Sequence, residues 1–192
     1  LGCKYNNFGI HGTGLATATD SLAVIRKYVF EEKTVPPERL LAALEADFKN
    51  DPELKDLLRK EAPKMGQDID WVDSIGTDLL DSFDKALEGR HNERGGIYRA
   101  GTGTAMYYIW HARDLGATPD GRTAEENIPA NYSPSLFMQQ KGPISVIKSF
   151  SKPHLQRVIN GGPLTLKFDQ TVFSNEESIR KLGMLVKTFI TL

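Results

Sequence analysis

The sequence predicts an α/β fold, and three observations lead to this prediction. Apolar residues recur at spacings of three and four, the helical period, in several long stretches of the chain. Short segments rich in Gly, Thr and aromatic residues separate these stretches, notably Arg94 to Trp110. Alternating polarity from Leu164 to Phe168 is typical of a strand. Helices that alternate with short strands indicate the α/β class.

The composition fits one globular domain without an excess of charge. The chain has 192 residues, of which 40% are hydrophobic and 26% charged, with a net charge of -1. A nucleic-acid or anionic-membrane partner is therefore not expected, because either needs a basic surface. No apolar run is long enough to span a membrane, no signal pattern opens the chain, and Cys3 is the single cysteine. We expect a cytoplasmic protein.

The first predicted helix follows a segment rich in Gly and Asn that extends to Leu15. Its apolar residues begin at Leu22 and keep the helical period through Phe30. Thr19 or Asp20 can accept hydrogen bonds from the free amides of a first turn. The pattern therefore predicts a helix that starts near Ser21.

Proline marks the next two helices, because a first helical turn has no partner for the missing N–H. They begin at Pro36-Pro37 and at Asp51-Pro52, and Pro63 ends the second of them. A longer helix follows, since apolar residues from Ile69 to Leu87 recur with the helical period and Gly89 occupies a typical C-cap position.

The middle of the chain changes character at Arg94, where a strand followed by a glycine loop fits best. Met106 to His111 is too short an apolar run to distinguish a strand from a helix. Thr118 to Arg122, with the sequence Thr-Pro-Asp-Gly-Arg, is a turn, because Pro presets its second position and Gly accepts a positive φ.

The last part of the chain predicts a loop, two helices and a strand. The loop is Ala130 to Pro134, and Pro143 opens the first helix. Gly161 and Gly162 lead into the strand Leu164 to Phe168. Ser174 and Glu177 form a capping box for the last helix, whose buried stripe is expected at Ile179, Leu182, Leu185, Val186 and Phe189.

Several of these segments, in this order, resemble the glycyl radical enzymes of the pyruvate formate-lyase-like family. Ala117 to Arg122, then Ser133-Pro134 and Gly142-Pro143, is similar to the pattern that ends the family's catalytic barrel. Gly14-Leu15 resembles the family segment that enters a barrel helix, and Asn160 to Phe168 resembles its last strand before the radical region. The local pattern is closer to the dehydratase and decarboxylase relatives than to pyruvate formate-lyase itself.

The resemblance implies a ten-stranded α/β barrel of two half-barrels surrounded by helices. Residues 1–192 would be a partial catalytic barrel domain, an internal fragment that supplies part of the second half and stops before the glycyl radical region. The intact parent would be a homodimer. A separate iron-sulfur activase that uses S-adenosylmethionine would install its glycyl radical.

The resemblance also places the family's catalytic groups outside this chain. The radical glycine would lie beyond Leu192, and the cysteine that relays the radical would lie before Gly14. We therefore expect no catalytic residue and no bound cofactor here, and an inactive fragment. Cys3 lacks the neighbours of the family's catalytic cysteines, and an ordinary thiol is the preferred interpretation.

The resemblance implies that Asn131 and Tyr132 bind substrate. In the family, the loop after the Thr-Pro-Asp-Gly-Arg turn approaches the substrate chamber, so these side chains are candidates for hydrogen bonds to a small polar substrate. An ordinary surface turn is the alternative. Arg122 has a structural interpretation, in which its guanidinium pairs with Asp120 and holds the turn.

Other candidate sites have a structural alternative that we prefer. The glycine-containing segments 11–14 and 99–104 could bind an anion, but neither matches a phosphate fingerprint, and packing loops are the better interpretation. The four histidines are too widely spaced for a zinc site. The aromatic residues could line a ligand cavity, although core packing is the commoner use: Tyr98, Tyr107, Tyr108 and Trp110.

Two functions are consistent with these patterns. In the first, the parent cleaves a C–C, C–O or similar bond of a small polar organic substrate by thiyl radical chemistry. In the second, the chain is a non-catalytic scaffold or partner-binding module that complements a larger enzyme. The native reading frame distinguishes them: continuation past Leu192 into an Arg-Val-x-Gly-Tyr-like segment supports the first, and a stop codon supports the second.

Overall fold

The computed structural model describes residues 2–139 and 141–191. Two strands and seven α-helices are found in this part of the chain, and two of the helices continue directly into π-helical turns. None of these helices is both long and apolar enough to cross a membrane. The elements are β1 (Phe8–His11), α1 (Leu15–Val24, continued by the π-turn Ile25–Glu31), α2 (Pro37–Glu45), α3 (Pro52–Asp56, continued by the π-turn Leu57–Glu61), α4 (Asp70–Leu87), β2 (Tyr98–Gly101), α5 (Tyr107–Asp114), α6 (Pro143–Ser151) and α7 (Glu176–Thr191).

The strands β1 and β2 form a parallel pair in which His11 lies opposite Gly101. A third segment joins the free edge of β2. The Asn160 N–H donates to the Ala100 carbonyl at 3.0 Å, and the Thr102 N–H donates to the Gly161 carbonyl at 2.9 Å. The third segment therefore runs in the same direction as β2. This arrangement fits the predicted α/β class, with α1 and α4 packed on one face of the sheet.

The predicted strand at Leu164 to Phe168 is wrong. Its side chains alternate between partly buried and exposed, as predicted, but its backbone joins no ladder within the described residues. The pairing occurs earlier, at Asn160 and Gly161. Gly161 has a φ of +97°, which turns the chain away from the sheet, and Pro163 has no N–H to donate to a neighbouring strand.

Most predicted helices are confirmed, but the first begins at Leu15 and not near Ser21. Gly14, with a φ of +82°, takes the N-cap position. The proposed caps Thr19 and Asp20 lie inside α1 and are buried. Thr19 donates its hydroxyl proton to the Leu15 carbonyl one turn back, and Asp20 bonds to other parts of the chain. The polar groups of these two side chains make hydrogen bonds inside the protein, so they do not mark the start of a helix.

The proline-marked helices α2 and α3 begin where predicted, and the Asp51 carboxylate caps α3 by accepting from the Leu54 N–H at 3.0 Å. The run Met106 to His111 is mostly helical, as the start of α5. Its aromatic side chains are not core residues as preferred, because Tyr107 is 51% exposed and Trp110 52% exposed. Tyr107 packs edge-on to Trp110 at the surface.

The last helix, α7, is confirmed, but its cap and its burial differ from prediction. Asn175, and not Ser174, caps it by accepting from the Ser178 N–H at 2.9 Å. The expected buried stripe is at best half-buried, since Ile179, Val186 and Phe189 are exposed. A gap of about 470 Å³ lined by apolar side chains separates α7 from α6.

Two apolar clusters form the core. The first joins the end of α1, its π-turn, α2 and α3, with residues such as Val24, Leu40 and Leu58. The second lies between the sheet and the helices, and it includes Leu80 of α4, Ala100 of β2 and Tyr132. The predicted substrate residue Tyr132 is thus part of the core beneath the sheet.

A glycine in α4 allows this core to close. A side chain at Gly76 would place its Cβ 1.9 Å from the Tyr132 hydroxyl oxygen and 3.2 Å from Thr19 Oγ1 of α1. The buried Tyr132 hydroxyl has no hydrogen-bond partner of ordinary geometry among the described residues. Gly76 therefore sets how closely α1, α4 and the Tyr132 ring approach one another.

Replacing Gly76 by Ala should destabilise the fold by about 1–3 kcal/mol, because the new methyl group overlaps the Tyr132 hydroxyl and forces the packed elements apart. The variant Tyr132→Phe removes the overlapping oxygen, so the double variant should recover part of the loss. Urea denaturation of the wild type, both single variants and the double variant measures this coupling.

Gly183→Ala is the matched control, since Gly183 lies in α7 with open space around it. This variant should gain about 0.5–1 kcal/mol from the higher helix propensity of Ala. Equal losses for Gly76→Ala with and without Tyr132→Phe would show that the hydroxyl is not the obstacle.

Candidate functional site

The candidate site lies where the three parallel segments of the sheet end. β1 ends at His11, β2 at Gly101 and the third segment at Gly161, and their following loops lie side by side. Ligands of open parallel sheets bind outside the carboxyl ends of the strands. We call this region the carboxyl-edge site, and its polar residues are His11, Thr13, Thr104, Asn131, Asn160 and Thr165. A cavity of about 540 Å³ between His11, Thr13, Thr104 and Tyr107 forms part of it.

Asn131 connects the loops of the carboxyl-edge site. Its Oδ1 accepts from the Thr104 N–H at 2.9 Å, and its own N–H donates to Thr104 Oγ1 at 3.0 Å. Its Nδ2 donates to Thr165 Oγ1 at 3.0 Å, and the second amide hydrogen makes no hydrogen bond within the described residues. The backbone φ of +57° lies in the left-handed region, which Asn tolerates better than most residues.

Tyr132, the next residue, points away from the carboxyl-edge site. Its ring is 1% exposed and packs against Phe150 with the ring centroids 6.2 Å apart. Burial raises the pKa of its phenol above the usual range. Of the two predicted substrate residues, Asn131 therefore reaches the carboxyl-edge site and Tyr132 supports the loop from below, so a direct contact of Tyr132 with substrate stays a prediction.

His11 and Asn160 form a pair on the sheet face opposite the helices. Asn160 Nδ2 lies 2.8 Å from His11 Nε2. The pair fits because Gly9 and Gly101 have no side chains: a Cβ on Gly9 would lie 1.8 Å from Asn160 Nδ2, and one on Gly101 would lie 2.9 Å from His11 Nδ1. Sequence reasoning missed this pair, although glycines within strands are a signal of such close approach.

A buried polar cluster supports the site from beneath. Asp20 of α1 accepts from the Met65 N–H at 2.7 Å and from Ser135 Oγ at 2.9 Å. Lys64 Nζ donates to the Leu58 carbonyl at 2.8 Å and to the Asp120 carbonyl at 3.0 Å. We call this set, with Asp20 and Lys64 at its centre, the buried hub.

Burial dominates the electrostatics of the buried hub. It raises the pKa of Asp20 from 3.8 to about 7, with a smaller opposing effect of Lys64. Burial also raises the pKa of Asp120 and lowers that of Lys64. The hub is therefore held by hydrogen bonds that are formed at a considerable desolvation cost.

The Thr118 to Arg122 turn is confirmed and belongs to the buried hub. The Thr118 N–H donates to the Arg122 carbonyl at 2.9 Å, and Gly121 has a φ of +92°. The predicted pairing of Arg122 with the Asp120 carboxylate is wrong. The Arg122 guanidinium instead donates to backbone carbonyls, including those of Thr123 at 3.0 Å and Glu126 at 2.7 Å. The Asp120 carboxylate accepts from the Thr118 hydroxyl.

The anion-binding alternative for the two glycine-containing loops is weakened, because three of their amides already donate hydrogen bonds within the chain. The Gly12 N–H donates to the Gly101 carbonyl, the Thr102 N–H to the Gly161 carbonyl and the Thr104 N–H to Asn131. Within residues 2–139 and 141–191, no group of three or more His, Cys, Asp or Glu residues is arranged to hold a metal ion.

Comparison with known proteins gives consistent matches. A family model described as pyruvate formate lyase-like matches residues 1–111. Trans-4-hydroxy-L-proline dehydratase of Clostridioides difficile is 30% identical over 100% of this chain and 24% of its own length. The probable dehydratase YbiW of Escherichia coli is 32% identical over 98% of this chain and 24% of its own length.

A solved structure matches equally well. The glycerol-bound form of the B12-independent glycerol dehydratase from Clostridium butyricum superposes with a TM-score of 0.91 at 31% identity, over 99% of this chain and 24% of that one. The chain thus spans about a quarter of the length of the proteins it matches.

Replacing Asp20 by Asn should change how stability depends on pH. The folded-state pKa of Asp20, about 7, lies above its unfolded value of 3.8, so the folded state binds the proton more tightly. The contribution of Asp20 to the free energy of unfolding is therefore largest below about pH 4 and falls as the pH rises to about 7. Asp20→Asn lacks this decline, which urea denaturation at a series of pH values measures.

The control for Asp20 is Asp56→Asn, which removes an exposed carboxylate paired with Lys60. Its stability should follow the wild type over the same range, because exposed ion pairs contribute little. Parallel curves for the wild type and Asp20→Asn would contradict the raised pKa.

Replacing Asn131 should separate its backbone role from its side-chain role. Asn131→Gly keeps the left-handed backbone but loses the bonds to Thr104 and Thr165, for an expected loss of about 1–3 kcal/mol. Asn131→Ala should lose about 1 kcal/mol more, because Ala disfavours a positive φ. Thermal and urea denaturation measure both, with the exposed Asn50→Ala as control. Near-wild-type stability of both Asn131 variants would show that these bonds do not hold the loops.

Proposed function

The chain belongs to the pyruvate formate lyase-like family, and from this we propose that it forms one wall of the substrate chamber of a glycyl radical dehydratase. The observation that carries the proposal is the carboxyl-edge site, where Asn131 joins three loops and has one amide hydrogen without a partner among the described residues. The matches to dehydratases along nearly the whole chain support the choice of reaction.

The sheet is proposed to be part of a ten-stranded barrel in the parent. Two features support this. Among the described residues, α1 and α4 pack on one face of the sheet, while His11 and Asn160 lie on the other. β1 is also exposed along its length, with only one edge paired within the described residues, so a further strand can join it. The open face would then point into the barrel.

The proposed substrate is a small molecule that carries a hydroxyl group. Two of the matched relatives are named for trans-4-hydroxy-L-proline and for glycerol, and both molecules carry at least one hydroxyl group. Dehydration breaks the C–O bond and removes a hydrogen from the neighbouring carbon, so that water leaves. The polar groups of the carboxyl-edge site are hydroxyls, amides and an imidazole, which suit the recognition of an uncharged oxygen.

The residues of this chain bind and orient the substrate in this proposal. The free amide hydrogen of Asn131 donates to a substrate oxygen, and the loops around Thr104 and Thr165 fix its direction. The family's glycyl radical and relay cysteine would supply the hydrogen abstraction, and by the resemblance neither corresponds to a residue of this chain. The chain alone is therefore proposed to be inactive, and the activase and the homodimer belong to the parent.

The test is to express the native reading frame with its flanking sequence, together with an activase and without oxygen. A glycyl radical should appear in the electron paramagnetic resonance spectrum, and the protein should dehydrate glycerol, trans-4-hydroxy-L-proline or a related hydroxylated compound. The 192-residue chain should do neither. A reading frame that stops at Leu192, or a radical-bearing protein that dehydrates none of these compounds, would contradict the proposal.

Asn131→Ala in the same protein should lower kcat/KM about tenfold, the effect of losing one substrate hydrogen bond of about 1.4 kcal/mol. The radical yield should not change, because Asn131 is proposed to act on the substrate and on the loops of the carboxyl-edge site, and not on the radical glycine. Asn50→Ala, in an exposed loop, is the control and should match the wild type. An unchanged kcat/KM for Asn131→Ala would remove this residue from the substrate contacts.

A further inference from the structure

His11 is placed to face a ligand. It is the last residue of β1, its ring is exposed, and it borders the 540 Å³ cavity of the carboxyl-edge site. The cavity lining contains no Asp, Glu, Lys or Arg; it comprises Gly9, Ile10, His11, Thr13, Gly103, Thr104, Ala105, Tyr107 and His111. Recognition in this cavity therefore depends on hydrogen bonds from neutral groups and from the two imidazoles.

Asn160 determines which imidazole nitrogen of His11 carries the proton. Its Nδ2 is a donor and lies 2.8 Å from His11 Nε2, so this contact requires Nε2 to accept, and the hydrogen of the neutral ring is then on Nδ1. The backbone of Asn160 is fixed by its N–H bond to the Ala100 carbonyl at 3.0 Å. The missing side chain of Gly9 leaves the space that the Asn160 amide occupies.

The Nδ1 side of the ring is left open. Cβ atoms on Gly101 and Gly103 would lie 2.9 Å and 3.3 Å from Nδ1, so side chains at either position would crowd this nitrogen. Within the described part of the chain, His11 Nδ1 makes no hydrogen bond, and the one hydrogen bond of the ring is that of Nε2 with Asn160. The Nδ1–H of His11 therefore has a fixed position, can be approached from the cavity and is available to bind a ligand.

We propose that His11, oriented by Asn160, is a specificity-determining residue that donates a hydrogen bond from Nδ1 to an acceptor oxygen of the substrate. This inference rests on the proposed function, and it adds a second recognition point to that of Asn131. The substrate must then present a second oxygen, as a hydroxyl or a carboxylate, in addition to the oxygen bound by Asn131.

The first test uses the 192-residue chain as it is. Long-range proton–nitrogen correlation spectra report which nitrogen of each histidine carries the hydrogen. His11 should show the Nδ1–H form, and Asn160→Asp should move the hydrogen to Nε2, because a carboxylate can only accept. His91, His111 and His154 are internal references that should not change. An Nε2 hydrogen on His11 in the wild type would overturn the inference.

The second test uses the activated full-length protein. His11→Phe keeps an aromatic ring but removes the donor, so KM for the substrate should rise about tenfold while kcat and the radical yield change little. His154→Gln is the control, since His154 pairs with Asp81 on the surface away from the site. If the wild type dehydrates substrate and His11→Phe has an unchanged KM, the inference fails and the proposed function stands.

Absence of any dehydration by the radical-bearing wild type would instead count against the proposed function. In that case, titration of the chain with acetate and ethylene glycol decides the inference. Either probe should shift the His11 Nδ1 signal in the wild type and not in Asn160→Asp. A signal that moves with neither probe would overturn the binding role of His11.

Discussion

The position of the site depends on burying one lysine and two aspartates together. Asp20 is bonded to residues 45 and 115 positions away, and Lys64 reaches a carbonyl 56 positions away. Taking these groups out of water is costly, so each must find its partners, and few arrangements of the chain provide them all. The hub thereby fixes four segments relative to one another: α1, the segment around Met65, the Asp120 turn and the Ser135 loop. An apolar core of the same size would fix their relative positions less specifically.

The hub explains how two neighbouring residues come to have opposite roles. Ser135 is bonded to Asp20, so the loop from Ala130 cannot move away from α1. Tyr132 fills the space over Gly76. The left-handed backbone of Asn131 directs its own side chain the other way, to Thr104 and Thr165. The inward tyrosine and the outward asparagine are two consequences of one anchored loop.

The sequence predicted features that depend on neighbouring residues. Helices marked by proline, the helix start at Asp51-Pro52, the turn with Gly121 and the loop with Asn131 are all of this kind. It did not predict the hub, because Asp20 has the residue type of a helix cap and its partners are distant in sequence. The contact of His11 with Asn160 spans 149 positions and was missed for the same reason. The strand was predicted at Leu164 to Phe168, whereas the backbone pairing occurs earlier, at Asn160 and Gly161. The prediction failed because alternating hydrophobicity indicates which side chains are buried and does not indicate which backbone groups pair.

The geometry of the site and its isolation from water have different origins. Distances between Asn131, Thr104 and Thr165, and between His11 and Asn160, are set by bonds within this chain. The surfaces around them remain open, since β1, Tyr107 and one side of α7 are exposed. In the proposed function, radical intermediates need a chamber that excludes water, so other surfaces would supply the walls that close this site. In that function, the chain therefore defines where a substrate oxygen binds without providing the dry environment in which the proposed reaction occurs.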